Sequence, residues 1–464
     1  LKVVNGFLYI LAANFINLLI SLINGFVLPK YLAVETYAFI KMFQLYIQYI
    51  GFFHLGFIDG VYLEIGGQNI KDLNKEKLNS QIMFFLIFQS IMSALSLLVG
   101  VIIKDNIFIL FALNIIPLNL ATLYKYIYQA TGEFKRYSNI LNLTSILTLS
   151  VNLILLFVFK VQNYVLYLAF TSIVNIIIVF IINKGINHFF TLHFDFGFNL
   201  KEQFTYIYNG FFLMIGNFSS IILTSMDRWF VKLFLTVHDF AYYSFAISIE
   251  TLITTFTTPV TITMYNYFCN HNDNKKIIFI RNLLLLITSL LISSAFIVKG
   301  IIDMYLMKYH SSVNVIFILF AAQFFSIIIK GIYINLYKVE KKQKIYFQKM
   351  IFVVVLGAVL NVLMGSICNT IESYALATLL SVIIWLILCY YDFISVRYRF
   401  SDLLYITINI LSFFFLGFYT NFIFGFIAYI AVVVITSLIW LNKEALFIIE
   451  KISILLKKFF SVIE

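Results

Sequence analysis

Apolar runs of about twenty residues follow one another from end to end of this chain, and no other feature limits its fold as much. Each is long enough to cross the hydrocarbon layer of a bilayer as a single α-helix. With 62% hydrophobic and 11% charged residues and a mean hydropathy of +0.98, the chain carries too little charge for a soluble surface. Lipid must therefore cover these runs. Strand-built barrels use alternating segments of about ten residues instead of continuous apolar runs, so helices are expected.

The runs lie near 6–28, 38–63, 81–103, 107–129, 138–159 and 164–183, then near 204–226, 240–264, 282–303, 312–337, 346–368 and 373–392, and finally near 403–420 and 422–441. Together they predict an all-α polytopic membrane protein of about fourteen transmembrane helices. The first run follows Lys2 and has the outline of a leader, but no small-residue cleavage site succeeds it and it is long enough to span. It is read as the first membrane helix. No connection exceeds about 23 residues and no GxxxxGK[ST] stretch occurs, so function is expected to reside in the bundle itself.

The formal net charge of +11, from 32 Lys plus Arg against 21 Asp plus Glu, admits nucleic acid or anionic lipid as its reason. Its distribution decides between them. Summed over alternate connections starting at the N-terminus, Lys and Arg number 22 on one side and seven on the other, the remaining three (Lys41, Lys125 and Lys330) falling within spans. By the positive-inside rule both termini are expected in the cytoplasm, and a nucleic-acid partner is not expected because the basic residues are dispersed over many short loops. Cys269, Cys368 and Cys389 have no CxxC or metal spacing, which gives no support for a disulfide framework or a metal site. After Leu441, charges at Lys443, Glu450, Lys457 and Glu464 recur every seven residues beside Phe447, Ile448, Ile452, Leu455 and Phe459, predicting an amphipathic helix on the cytoplasmic interface.

Two weak internal matches share nearly one offset. Lys125, Ile127 and Tyr128 recur as Lys330, Ile332 and Tyr333, 205 residues on; Phe26, Val27 and Glu35 recur as Phe230, Val231 and Asp239, 204 residues on. They predict two six-helix halves in parallel orientation, at 1–200 and 201–400, with 401–464 adding two helices and the tail. In transporters of that construction the substrate path runs between the halves.

An ionisable side chain at the centre of a membrane helix costs about 2.5 to 3.5 kcal/mol, so each needs a reason. If 38–63 is one helix, Lys41, Gln44, Gln48 and Asp59 share a stripe that climbs about 27 Å, with His54 off it. Lys41 then either faces a cavity or snorkels to the outer interface, and Asp59 is either functional or satisfied at a helix end. Asn217, Ser220, Thr224 and Asp227 form a narrow face on the seventh span, ending in Asp227 and Arg228. Glu250, Thr254, Thr257 and Thr261 are spaced helically on the eighth, which Pro259 is expected to bend. Glu250 is read as a coupling or substrate-contacting group, or as a buried acid bonded to threonines of a neighbouring helix. Lys125 and Lys330 either snorkel to the cytoplasm or flank an inner mouth that attracts phosphate. No Ser/His/Asp grouping, HExxH motif or glycosidase-like carboxylate pair is readable, and His188, His193 and His271 are read as solvated.

The stretch Phe43-Gln44-Leu45-Tyr46 followed by Gly56-Phe57-Ile58-Asp59-Gly60-Val61-Tyr62-Leu63-Glu64-Ile65-Gly66-Gly67 resembles the second-span signature of the Wzx-like O-antigen and polysaccharide flippases, in the multidrug/oligosaccharidyl-lipid/polysaccharide (MOP) superfamily. Asp227-Arg228-Trp229-Phe230 and the run Asp239 to Ala246 resemble the matching segment of their second half. Glu64 departs from the pattern, standing where a basic residue is expected. The resemblance implies a MATE-like pair of six-helix lobes, without enzymatic activity. Its substrate would be an undecaprenyl-pyrophosphate-linked oligosaccharide, moved to the outer leaflet of the bacterial inner membrane by alternating access for O-antigen or capsule assembly. It further implies membrane lipids, a polysaccharide polymerase and a chain-length regulator as partners. The substrate cavity would draw on Lys41, Gln44, Gln48, Asp59, Lys125, Asn217, Asp227, Arg228, Glu250, Thr254 and Lys330. No cofactor is implied, and coupling to H+ or Na+ stays open. A cation- or proton-coupled drug or metabolite antiporter of the same superfamily is the alternative, with a membrane polymerase or ligase further behind.

Overall fold

The computed structural model describes residues 2–186, 199–270, 273–393 and 396–451. Among these there is no strand, and each of the fourteen apolar runs carries helix, the second with an interruption. The helices are α1 (Lys2–Tyr31), α2 (Val34–Ile47), α3 (Phe57–Ile65), α4 (Lys75–Ile103), α5 (Asn106–Ala130), α6 (Phe134–Leu153), α7 (Tyr164–Ile186), α8 (Leu200–Phe234) and α9 (Val237–Asn270). They continue as α10 (Asn274–Ile292), α11 (Ser294–Tyr305), α12 (Val313–Ile328), α13 (Ile334–Val339), α14 (Gln343–Cys368), α15 (Ile371–Asp392), α16 (Phe400–Tyr419) and α17 (Phe422–Trp440). Twelve segments among the described residues have the length and apolarity to cross a membrane, with α10–α11 and α12–α13 each counted once. The other two apolar runs are the interrupted α2–α3 and the 34-residue α9.

The second run is not the continuous helix that a stripe from Lys41 to Asp59 requires. The chain leaves α2 at Gln48, passes through a 3-10 turn (Ile50–His54), and re-enters helix at Phe57 after Leu55 (φ 48°) and Gly56 (φ 89°). Backbone freed by such a break must find partners, because lipid offers none. Two buried side chains supply them. The Gln89 amide donates to the Phe53 carbonyl at 3.1 Å, and the Asn119 amide donates to the Ile50 carbonyl at 3.2 Å and to Gln89 Oε1 at 2.7 Å. Lys41 and Asp59 therefore stand on two separate helices, and a common face computed at 100° per residue does not apply to them.

By internal packing the chain divides into two compact units, Leu1–Ser225 and Met226–Glu464. Lipid tails are as apolar as leucine, so helices in a bilayer are held by close backbone approach and polar contacts more than by burial of apolar area. The first unit shows the former. Gly56 and Gly60 meet Gly210 of α8 so closely that a Cβ at Gly60 would lie 2.1 Å from the Tyr206 carbonyl oxygen, and one at Gly210 would lie 2.0 Å from that of Gly56. Around this contact Phe57, Ile58, Phe85, Ile127 and Tyr206 form the apolar core.

In the second unit the segment Met307–Val339 is central, with 94% of its membrane window buried. Apart from a few polar residues such as Gln323 and Lys330 it is apolar on every side, as a helix surrounded by other helices should be. α16 and α17 dock on this unit through Phe296, Phe317, Phe413 and Tyr429, whose ring centroids lie 5.0–5.7 Å apart. Gly417 leaves room for the Phe317 ring, and the Lys299 ammonium donates to the Gly417 and Thr420 carbonyls at the end of α16 (2.7 and 2.8 Å). A cation there also complements the negative end of the helix dipole. Residues 442–451 are helical. The rest of the expected tail helix, 452–464, lies outside the described residues, as do His188, His193, His271 and the side chains of Pro259 and Thr261.

Candidate functional site

Charged residues that are far apart in the sequence come together inside the second unit. The last turns of α8 carry Asp227 and Arg228, which are 4% and 8% exposed. One Asp227 oxygen accepts the backbone N–H of Arg228 (2.7 Å); the other accepts the Tyr243 hydroxyl (2.6 Å) and the Thr378 hydroxyl of α15 (3.1 Å). Two turns beyond Tyr243 on α9, Glu250 accepts a hydrogen bond from the Gln323 amide of α12. Asp227, Arg228 and Lys330 all lie close enough for their charges to act on Glu250. Lys330 stands in a π-helical turn, Ile329–Tyr333, which follows α12. Such turns redirect side chains and recur at functional sites.

Two acids and two bases thus share a low-dielectric interior, where an uncompensated ion would be costly. Their formal charges cancel, which offsets part of that cost. Glu250 is bonded to Gln323 rather than to threonines of a neighbouring helix. Thr254 and Thr257 donate back to carbonyls of α9 itself, at Thr251 (2.9 Å) and Ile253 (3.0 Å).

The first unit arranges its polar residues differently. Asp59, 2% exposed in the first turn of α3, accepts from the Asn217 amide of α8 at 3.4 Å. The break at 48–56 also brings His54 near it, with Nδ1 3.9 Å from Asp59 Oδ2. That nitrogen accepts the Gly56 backbone N–H at 3.1 Å, so it holds no proton to give to the carboxylate. On α2, Lys41 donates to the exposed Gln44 at 3.0 Å and lies over the Tyr37 ring, while Gln48 is exposed at the helix end. Lys125 is partly buried on α5 and makes no hydrogen bond or ion pair among the described residues. The sequence-predicted residues accordingly fall into three groups: Asp227, Arg228, Glu250 and Lys330 together; Asp59 with Asn217; and Lys41 with Gln44. Lys125 joins none of these among the described residues.

Two further ionic groups escaped the sequence reading. Lys77, in the first turn of α4, pairs with Glu64 at the end of α3 and with Glu202 at the start of α8 (3.1 Å), beside a cavity of about 520 Å3. Glu64, out of pattern as an acid, is held there by Lys77 and by the Gln81 amide (3.0 Å). Arg281 is wholly buried, pairs with Asp402 of α16, and donates to the Val396 and Arg397 carbonyls (2.8 and 2.9 Å). Asp402 is 121 residues away, and nothing at either position in the sequence marks the pair.

The class defined by fold and site is a polytopic helical bundle with charge placed inside its membrane-depth segments. Among solved structures the chain is similar to a protein described as "Lipid II flippase MurJ, inward closed conformation", with a TM-score of 0.67 at 16% identity, covering 94% of this chain and 99% of that one. At this identity the likeness establishes a shared fold. Looser matches are a Vibrio cholerae MATE transporter in the bent form (TM-score 0.34, 12% identity, 84% and 93% covered) and a multidrug resistance MATE family transporter of the MOP superfamily (TM-score 0.36, 10% identity, 89% and 93% covered). No model of a known protein family matches the chain, and no curated protein matches its sequence.

Proposed function

We propose that the chain is a flippase that carries undecaprenyl-pyrophosphate-linked oligosaccharide repeat units from the cytoplasmic to the outer leaflet for assembly of a surface polysaccharide, O-antigen or capsule. The observation that carries this reading is the likeness to a lipid II flippase along nearly the whole length of both chains. The residues support it chemically. A lipid-linked substrate needs cations for its pyrophosphate, hydrogen-bonding faces for its sugars and an apolar exterior for its polyprenyl tail. Lys41 and Lys125 are cations within the apolar runs of the first unit, and Asn217, Ser220 and Thr224 leave an exposed polar face on α8. Asp227, Arg228, Glu250 and Lys330 form the ionic group through which H+ or Na+ would couple transport. On this reading the protein resides in the bacterial inner membrane with both termini in the cytoplasm, and works with a polymerase and a chain-length regulator.

Deletion of the gene tests the proposal. Lipid-linked repeat units should accumulate on the cytoplasmic side, with surface polysaccharide lost and restored by the plasmid-borne gene. Unaltered surface glycan in the deletion strain would contradict it, and accumulation of a dye or drug instead would point to the antiporter.

A further inference from the structure

The cavity beside Lys77 is not explained by ion pairing alone. It lies wholly within the first unit, lined by Gly60 and Leu63 of α3, Glu64, Lys77, and four residues of α8 that include Glu202 and Asn209. Its volume of about 520 Å3 falls in the range of small-ligand sites. Gly60 forms the floor because the backbone of α8 lies directly against it. Tyr206 contributes an aromatic wall, with its hydroxyl donating to Glu202 Oε1 at 3.1 Å and its ring 5.7 Å from the Lys77 ammonium.

What the cavity can bind follows from which groups are already committed. The Lys77 ammonium is shared between Glu64 and Glu202 Oε1 and also faces the Tyr206 ring, so it offers no uncompensated charge to an anion. Two carboxylates against one ammonium leave a formal charge of −1 around the cavity (−2 + 1). Among the described residues three groups stay open to a ligand. Glu202 Oε2 takes part in none of these contacts, the Asn209 amide makes no side-chain hydrogen bond among the described residues, and the Thr205 hydroxyl, whose proton goes to the Lys201 carbonyl, keeps its acceptor side. An acceptor carboxylate oxygen, a bifunctional amide and a hydroxyl beside an aromatic face suit a ring bearing hydroxyls or an amine. A phosphate or uronate entering the same space would meet the Glu202 charge with no spare cation to offset it.

We propose that this cavity is a saccharide subsite that accepts neutral or amine-bearing sugar rings and rejects anionic ones. As a contact for the sugar portion of the cargo it rests on the proposed function. On the charge-derived topology it opens at the cytoplasmic ends of the spans, where a substrate would be loaded. Binding can be read without any transport, so failure of one claim is distinguishable from failure of the other.

The test is saturation-transfer NMR on the purified full chain in detergent, with glucosamine, N-acetylglucosamine, glucuronate and putrescine as probes. Glucosamine and N-acetylglucosamine should give signal, and glucuronate should bind about tenfold more weakly. Glu202→Lys changes the formal charge to +1 and should reverse the preference between glucosamine and glucuronate. Asn209→Ala leaves the ion pairs in place and should weaken both sugars with an unchanged melting profile, which keeps the proposal open to refutation even where the lysine variant does not fold. Equal binding of glucuronate and glucosamine by the unaltered protein would overturn the proposal. So would an unreversed order in a folded Glu202→Lys, or a putrescine signal as strong as that of glucosamine.

Discussion

Lys125 and Lys330 recur at the same offset and in the same three-residue pattern, yet the two units surround them differently. In the second unit Lys330 sits within reach of Glu250, in a group whose charges cancel. In the first, Lys125 has no acid and no hydrogen-bond partner among the described residues. A compensated lysine is part of the protein's own ionic group; an uncompensated one at membrane depth is available to an anion. Likeness in sequence therefore does not make the pair one site, and on the proposed reading Lys125, not Lys330, joins Lys41 in meeting pyrophosphate. The two units also differ in a second respect: backbone meets backbone at Gly56, Gly60 and Gly210 in the first, and a fully buried ion pair, Arg281 with Asp402, lies in the second.

The strongest way to break this contrast is to remove a charge from the second unit's interior. Arg281→Met leaves Asp402 buried without its partner and should cost about 3–5 kcal/mol, read as a fall in the melting temperature of the purified protein. Restoring stability with Arg281→Met combined with Asp402→Leu would confirm that the unpaired charge is the cause. In the first unit Gly210→Ala should cost about 1–3 kcal/mol by forcing α8 away from Gly56 and Gly60. A melting temperature equal to that of the unaltered protein would show that the close approach is not what holds α3 to α8.

Smaller effects sharpen the comparison of the two lysines. Glu250→Gln and Lys330→Met should each destabilise the protein, while the double variant should be less harmed than their sum by about 1–2 kcal/mol. Strict additivity would dissolve the pairing of these charges. Lys125→Met leaves no partner behind and removes a costly intramembrane charge, so it should not lower the melting temperature, yet should abolish complementation of surface polysaccharide with protein still in the membrane. Full complementation by Lys125→Met would remove it from any role in cargo binding.

The placing of the helices was legible in the sequence because lipid imposes a minimum apolar length on each span, and all fourteen runs carry helix. The break in the second was not. Lys41, Gln44, Gln48 and Asp59 fit a helical period, and that pattern carries no trace of Gln89 and Asn119, whose side chains make the unwound turn tolerable from 30 or more residues away. Gly51, Gly56 and Gly60 were the available signal, since three glycines in ten residues of a membrane segment mark either a close approach or an unwound turn, and here they mark both. Glu250, Asp227 and Lys330 could be singled out one by one because charge is rare at membrane depth. That they meet, and that Gln323 and Tyr243 complete the group, depends on helix packing that no local pattern encodes. Lys77 lies in a polar connection of the sequence, where nothing marks its pairing across three helices.

Flipping can be measured by reconstituting the purified chain into liposomes with a fluorescently labelled undecaprenyl-pyrophosphate-linked oligosaccharide and following how much label a membrane-impermeant quencher reaches over time. The initially protected inner-leaflet fraction should become accessible only in vesicles containing the protein, and Lys125→Met should abolish this gain. Protection that persists equally with and without the protein would contradict the proposed function.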